Sequence, residues 1–228
     1  MSSTRLPGKV LADVAGEPML ALMLRRLEAV RGVAQRIVAT SVEAIDDPVA
    51  ELAAASGMAV ARGPRDDVLA RFIQAIGDHD GPVVRLTADC PLIDPEVVDA
   101  AVALFERTPG CAYASNVEPR TFPVGLDVEV VSAAVLREID AEPRSPEERE
   151  HVTIFVRRRP DRFPHASLTR EPDLSGLRWT VDDGADLEFV RAVVARLGDR
   201  RHIAGLDEVL AAVREEPALM SGDGRARG

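Results

Sequence analysis

Lysine is almost absent from this chain. Of 28 Lys+Arg, Lys9 is the only lysine, so arginine fills every other cationic place and the exception asks for a reason. Cysteine is equally scarce: Cys90 and Cys111 are the only two, which excludes a disulfide framework or a zinc site and fits a reducing compartment. Positive charge is in short supply, and a net charge of -10 argues against wrapping nucleic acid or lying on anionic lipid. No uninterrupted apolar run is long enough to span a bilayer or to serve as a signal-peptide core. The expectation is a cytoplasmic protein without nucleic-acid or membrane partners.

What is present is ordinary globular material, 46% hydrophobic and 29% charged over 228 residues. That suits one domain, here 1–220, with a real core. The small, polar residues 221–228 are expected to form a disordered, dispensable tail. Arg36-Ile37-Val38-Ala39-Thr40, Met58-Ala59-Val60-Ala61 and Val83-Val84-Arg85-Leu86 read as buried strands. Between them helices are predicted from Pro18 to about Val30, from Asp46-Asp47-Pro48 to Ala55, and from Asp66-Asp67 to about Gly77. Strand and helix alternating over short connections predict an α/β, doubly wound, mainly parallel sheet. In such sheets ligands sit beyond the carboxyl ends of the strands.

Three segments stand out for chemistry. Ser2-Ser3-Thr4-Arg5-Leu6-Pro7-Gly8-Lys9 combines small residues, a Pro-Gly turn, a planar guanidinium and a compact ammonium, the parts a loop needs to wrap a polyphosphate. A frayed basic terminus is the plainer alternative. Asp89 follows the strand ending at Leu86, where a carboxylate reaches the ligand cleft and can hold a hard divalent ion; a turn aspartate is the alternative. Asp94-Pro95 reads as the cap and first turn of the next helix. In Arg178-Trp179-Thr180-Val181-Asp182-Asp183-Gly184-Ala185-Asp186, a β-like run meets a helix over Leu187 to Leu197. Asp183 or Asp186 serves the helix terminus there, which leaves Asp182 for a metal.

Six motifs come in a family's order. Ser3-Thr4-Arg5-Leu6-Pro7-Gly8-Lys9-Val10-Leu11, Arg62-Gly63-Pro64-Arg65-Asp66-Asp67-Val68-Leu69, Thr87-Ala88-Asp89-Cys90-Pro91-Leu92-Ile93-Asp94-Pro95, Gly125-Leu126-Asp127-Val128-Glu129-Val130, Glu148-Arg149-Glu150-His151-Val152-Thr153 and Arg178-Trp179-Thr180-Val181-Asp182 resemble the spore-coat polysaccharide (SpsF-type) cytidylyltransferases. These are relatives of the enzymes that activate sialic acid and Kdo. The likeness runs from residue 1 to about 220. It implies a glycosyltransferase-A-like nucleotidyltransferase fold and transfer of CMP from CTP to a sugar acid or related sugar, with pyrophosphate leaving. By the same resemblance Ser3, Arg5 and Lys9 hold the phosphates, Asp89 and Asp182 hold Mg2+ with Thr87 nearby, and Arg62, Gly63, Asp67 and Arg71 lie near base and ribose. Asn116, Gly125, Asp127, Glu129, Glu150 and His151 are the candidates for the sugar side. Asp127 and Glu129 also fit one solvated strand face, and His151 a helix that packs on a partner subunit.

His79, His165 and His202 have no partner pattern, Arg157-Arg158-Arg159 suits a helix end, and Cys90 suits a small buried site. The long segment from Glu118 to Pro160 corresponds to a dimer arm in relatives, which implies a homodimer. One departure matters: relatives feed the phosphate loop from an apolar strand, and here Met1 stands in that loop. The expectation is an upstream start, since without such a strand two neighbours stay unpaired. Ser2, where the family has glycine, is a lesser departure. Three readings follow: an active cytidylyltransferase, a nucleotidyltransferase of another base and a sugar 1-phosphate, and a non-catalytic nucleotide-sugar-binding subunit.

Overall fold

The predicted alternation is present in the computed structural model, which describes residues 5–142 and 144–215. A short antiparallel hairpin, β1 (Asp13–Val14) with β2 (Glu17–Pro18), leads into α1 (Met19–Leu27). Then come β3 (Ile37–Ser41), α2 (Asp47–Ala55), β4 (Ala59–Gly63), α3 (Val68–Ile76), β5 (Pro82–Arg85) and α4 (Pro95–Arg107). The second half holds β6 (Tyr113–Ser115), β7 (Glu129–Ser132), α5 (Ala133–Ala141), α6 (Pro146–Glu150), α7 (Ile154–Arg157), β8 (His165–Ser167), α8 (Gly184–Leu197) and α9 (Leu206–Arg214). Boundaries follow local chemistry. Asp67 caps α3 by accepting from the Ala70 amide at 2.9 Å, and Pro95 opens α4 behind the Asp94 cap. α1 ends at Leu27, short of the predicted Val30, and closes in a tighter turn through Val30. Arg157 stands in the last turn of α7, as expected of that basic run.

The sheet departs from a mainly parallel one. β3 pairs with β4 in parallel, and a separate four-stranded sheet runs β5-β7-β6-β8. β7 is antiparallel to both β5 and β6, while β6 and β8 are parallel. The reason is the connection: residues 116–128 join β6 to β7 without a crossover helix, and a local return makes neighbours antiparallel. Among the described residues β3 pairs with β4 alone and β5 with β7 alone, so each keeps a free edge.

Both faces of the four-stranded sheet are covered. Ala114, Val128 and Val130 join a large core with α1, α4, α8 and α9, whereas Tyr113 and Val131 point the other way, into a cluster with α3, α5 and α7. The large core reaches from Leu6 to Val213. Leu6 and Val10 pack against it, so the turn that carries Lys9 is anchored on both sides by buried apolar contacts.

Candidate active site

Three chain segments meet at Lys9. Gly8 adopts φ 73°, a left-handed conformation open to glycine, and this starts the 3-10 turn Lys9–Leu11. The loop after β5 is tied by the Cys90 amide to the Thr87 carbonyl, and Leu92 and Ile93 plug it into the core. The run 178–182 is no regular strand. It makes a single parallel bridge to Val124, and its amides reach two loops: Trp179 donates to the Val124 carbonyl at 2.6 Å and Val181 to the Asp89 carbonyl at 2.8 Å. Thr180 Oγ1 also donates to the Asp89 carbonyl, at 3.1 Å. These two bonds hold the backbone of Asp89 beside that of Asp182. Asp183 and Asp186 form the capping box of α8, so Asp182 is left free of helix duty, as expected.

Lys9 Nζ fills all three of its donor positions here. It reaches Asp89 Oδ2 at 3.1 Å, Asp182 Oδ1 at 3.1 Å and the Val181 carbonyl at 2.6 Å. Its side chain is 12% exposed, against 29% for Asp89 and 23% for Asp182. Asp182 also accepts from Arg178 at 2.6 Å and pairs with Arg5, 66% exposed, at 3.3 Å. Burial pushes the Asp182 carboxyl up, but the hydrogen bonds from Arg178 and Lys9 outweigh it and hold the group below its ordinary range. Asp186 first, then burial in the opposite direction and Asp182, leave Arg178 a firmly charged guanidinium, raised above its usual range. Among the described residues no group of three or more His, Cys, Asp or Glu side chains converges in a metal-binding arrangement. The pair that does converge is hard, oxygen-bearing and already gathered around one cation, the donor chemistry that suits Mg2+ with water and substrate oxygens completing the shell.

The remaining candidates fall into other places. Ser3 lies outside the described residues, as does the tail 221–228. Arg62 donates to the carbonyls of Ser41 and Glu43 and pairs with Asp47 at 2.6 Å, which ties β4 to the loop after β3. Asp67 caps α3 and accepts from Arg149 at 2.6 Å. A Cβ on Gly63 would stand 2.9 Å from Arg71 Cγ, so the glycine lets that side chain lie on the strand end. Arg71 donates to the Arg65 carbonyl, while its Nε is buried without a partner. Thr87 faces the Cys90 thiol at 3.3 Å. That thiol is buried and is pushed far up by desolvation and by Asp89, in keeping with a packing residue.

On the sugar side the structure corrects two expectations. Asn116 is fully buried; it donates to the Leu126 carbonyl at 2.6 Å and accepts from the Val128 amide at 2.8 Å, so it braces the 116–128 loop. Glu129 is neither solvated nor free. Tyr113 and Thr153 donate to it at 2.6 Å each, and Arg85 pairs with it. Asp127 lies before β7 and takes a two-pronged contact from Arg120 at 2.6 and 2.7 Å. Gly125, at φ 107°, is there for approach: a Cβ would come within 2.5 Å of the Thr180 amide. Glu150 and His151 are exposed at the end of α6. His202, which has no partner pattern in the sequence, is satisfied by Glu17 at 2.6 Å.

Residues 1–183, which include Lys9, Asp89, Arg178 and Asp182, match the family model described as Cytidylyltransferase. The chain belongs to the cytidylyltransferase family. It is 28% identical over 227 residues to the spore coat polysaccharide biosynthesis protein SpsF of Bacillus subtilis, covering 95% of this chain and 92% of that one. It is 37% identical over 46% of its length to 3-deoxy-manno-octulosonate cytidylyltransferase of Anaeromyxobacter dehalogenans, 43% of which is covered. A solved cytidylyltransferase from Leptospira borgpetersenii superposes with a TM-score of 0.92 at 30% identity, over 100% of this chain and 95% of that one.

Two residues of this cytidylyltransferase escaped sequence reasoning. Arg178 bridges Asp182 and Asp186, at 2.6 and 2.9 Å; its spacing of four from Asp182 was the available signal. Arg26 is wholly buried in α1 and donates to the carbonyls of Ile93, Arg201, Leu92 and Ala204. Burial pushes its guanidinium down to about 10, still charged at neutral pH. Nothing local marks it, because it stands beside Arg25 as half of an ordinary basic pair and its partners lie far along the chain.

Proposed function

We propose that this chain transfers CMP from CTP to a hydroxyl of a sugar acid or related sugar, for polysaccharide or glycoconjugate synthesis. The observation that carries the reading is the convergence of Asp89 and Asp182 on Lys9, from positions 80 and 173 residues away from it. In the transfer the hydroxyl oxygen bonds to the α-phosphorus, the bond to the bridging oxygen breaks, pyrophosphate departs, and the hydroxyl proton is lost to solvent. Lys9 and exposed Arg5 supply charge-assisted contacts to the departing phosphates. Asp89 and Asp182 would hold Mg2+, which would polarise the α-phosphate and favour ionisation of the attacking hydroxyl. Arg178 keeps Asp182 ionised and oriented.

The names of the relatives support a cytidine nucleotide and, through 3-deoxy-manno-octulosonate, a sugar acid. The same reading includes a glycosyltransferase-A-like arrangement, a cytoplasmic setting where CTP is available, and a homodimer formed through the segment 118–160. In that segment α6 has no buried residue; light scattering in solution checks the dimer, and a monomeric mass at working concentration removes it.

The test compares thermal midpoints with CTP, UTP, GTP and ATP, each with and without Mg2+. A ligand bound only by the folded state raises the midpoint by mass action, about 2.7 kcal/mol at a hundredfold excess over Kd. The expected outcome is a Mg2+-dependent shift with CTP alone, accompanied by pyrophosphate release once a sugar acid is added. Selection of another nucleotide points to a sugar-1-phosphate enzyme. Selective binding without pyrophosphate release, across a panel of sugar acids, points to a binding subunit.

A further inference from the structure

The position of Lys9 is an odd one for a phosphate-binding residue. A side chain waiting for a triphosphate has no need to face its own enzyme's acids, yet all three protons of Lys9 Nζ are spent on Asp89, Asp182 and the Val181 carbonyl. The group is the least exposed of the three charged partners. Arg5, by contrast, is mostly exposed and touches Asp182 from outside at 3.3 Å. The ammonium therefore lies where a shared divalent ion would draw both carboxylates together. An arginine would not substitute: its guanidinium is broad, planar and rigid, whereas ammonium is a compact point charge on a flexible stem. This gives the one lysine among so many arginines a physical reason.

We propose that Lys9 is a resident counter-cation which holds Asp89 and Asp182 together in the nucleotide-free protein and is exchanged for the divalent metal when the metal arrives with the nucleotide. The inference rests on the reading of Asp89 and Asp182 as metal ligands. Leaving the carboxylates frees Lys9 for the incoming phosphates, so one movement clears the metal site and completes the phosphate site. Arg178 does not leave. It is pinned by Asp186 as well as Asp182 and keeps Asp182 in place during the exchange. Two consequences follow. Metal alone binds weakly because it must displace a covalently tethered competitor, and metal with nucleotide binds well because the displaced cation acquires a new partner.

The scarcity of lysine makes the exchange observable. In protein labelled at lysine 13Cε and 15Nζ, one side-chain resonance belongs to Lys9. The expected result is a single signal that responds to Asp89→Asn in the nucleotide-free protein, moves little with Mg2+ alone, and shifts to a new position with Mg2+ and a non-hydrolysable CTP analogue. In parallel, Mn2+ binding is read by electron paramagnetic resonance without nucleotide. If Lys9 occupies the site in about 90% of molecules, Lys9→Met tightens Mn2+ about tenfold, because only the unoccupied fraction binds. A lysine that merely meets phosphates leaves both readouts of the nucleotide-free protein unchanged.

A Lys9 resonance that stays put at saturating Mg2+ and analogue overturns the exchange, as does unaltered Mn2+ affinity in Lys9→Met. The metal reading is separated by Asp182→Asn and Asp89→Asn. If these lose Mn2+ binding in the presence of the analogue while Lys9 does not move, the metal reading stands and the exchange alone fails. If they bind Mn2+ and analogue as the unaltered protein does, both fail. Should Lys9→Met not fold, the resonance experiment decides by itself on the unaltered chain.

Discussion

Asp182 shows how single residues set the chemistry of the site. It accepts from Arg178 and Lys9 and pairs with Arg5, so its ionised form is stabilised by folding. With the carboxyl held below its ordinary value near 3.8, the folded state binds fewer protons than the unfolded state in the window beneath that value. Stability from Asp182 is then fully present above about pH 4 and is lost as pH falls through the lowered pKa. Urea unfolding at pH 7 is expected to find Asp182→Asn less stable than the unaltered chain, with the gap narrowing as pH falls below the ordinary carboxylate value; a constant gap contradicts the assignment. The placement of Asp89 and Asp182 was legible because each carboxylate follows an extended run. Asn116 and Glu129 misled for a plain reason: their polarity signals a partner, and whether that partner is a sugar or a buried amide depends on what folds over them.

Helix termini are the scale at which local reading works and then runs out. Asp94 caps α4 through Oδ1, accepting from the Glu96 amide at 2.8 Å, as its position before Pro95 predicts. Its other oxygen accepts from the Leu206 amide at 2.6 Å, at the start of α9 and 112 residues away. One buried carboxylate thus serves two helix N-termini, where its charge is favoured. Asp94→Ala is expected to cost about 2–4 kcal/mol, more than the ~1 kcal/mol of an ordinary cap. Asp94→Asn keeps one acceptor oxygen, enough for one of the two amides, and sets an NH2 donor against the other, so it should fall between. Chemical denaturation midpoints at constant slope give both values; a loss for Asp94→Ala no larger than a single cap shows that the Leu206 contact contributes nothing. The same limit affected the sheet: the positions of β3, β4 and β5 were legible to within about two residues, while the short strands β6 and β8 and the antiparallel entry of β7 were not, since pairing partners lie outside any local window.

Across the whole molecule, Arg26 joins regions that no short segment links. From α1 it donates to Leu92 and Ile93, which follow Asp89, and to Arg201 and Ala204, which precede α9. The loop that presents Asp89 is therefore braced from behind by a buried cation, and the C-terminal part is secured to the same point. Arg26→Met keeps much of the apolar stem but abandons four carbonyls, three of them in buried contacts. At about 1–3 kcal/mol for a buried group left unsatisfied, a loss of at least about 3 kcal/mol is expected. Equilibrium unfolding measures it; near-neutral stability would show that water or local repacking satisfies those carbonyls.

The sequence by itself determined the α/β class, the starts of α1 to α4, the family, the Lys9 loop and the two aspartates that follow extended runs. Each of these rests on interactions between near neighbours or on motifs read in order. Only the tertiary structure decided that Asn116 and Glu129 brace the core, how β7 runs, that Arg26 and Arg178 are structural cations, and that Lys9 sits between Asp89 and Asp182. The physical reason is that burial and charge pairing depend on distance in space. A carboxylate's role is fixed by the donors folding brings to it, and Lys9, Asp89 and Asp182 become one site only when backbone bonds between the loops draw their segments together.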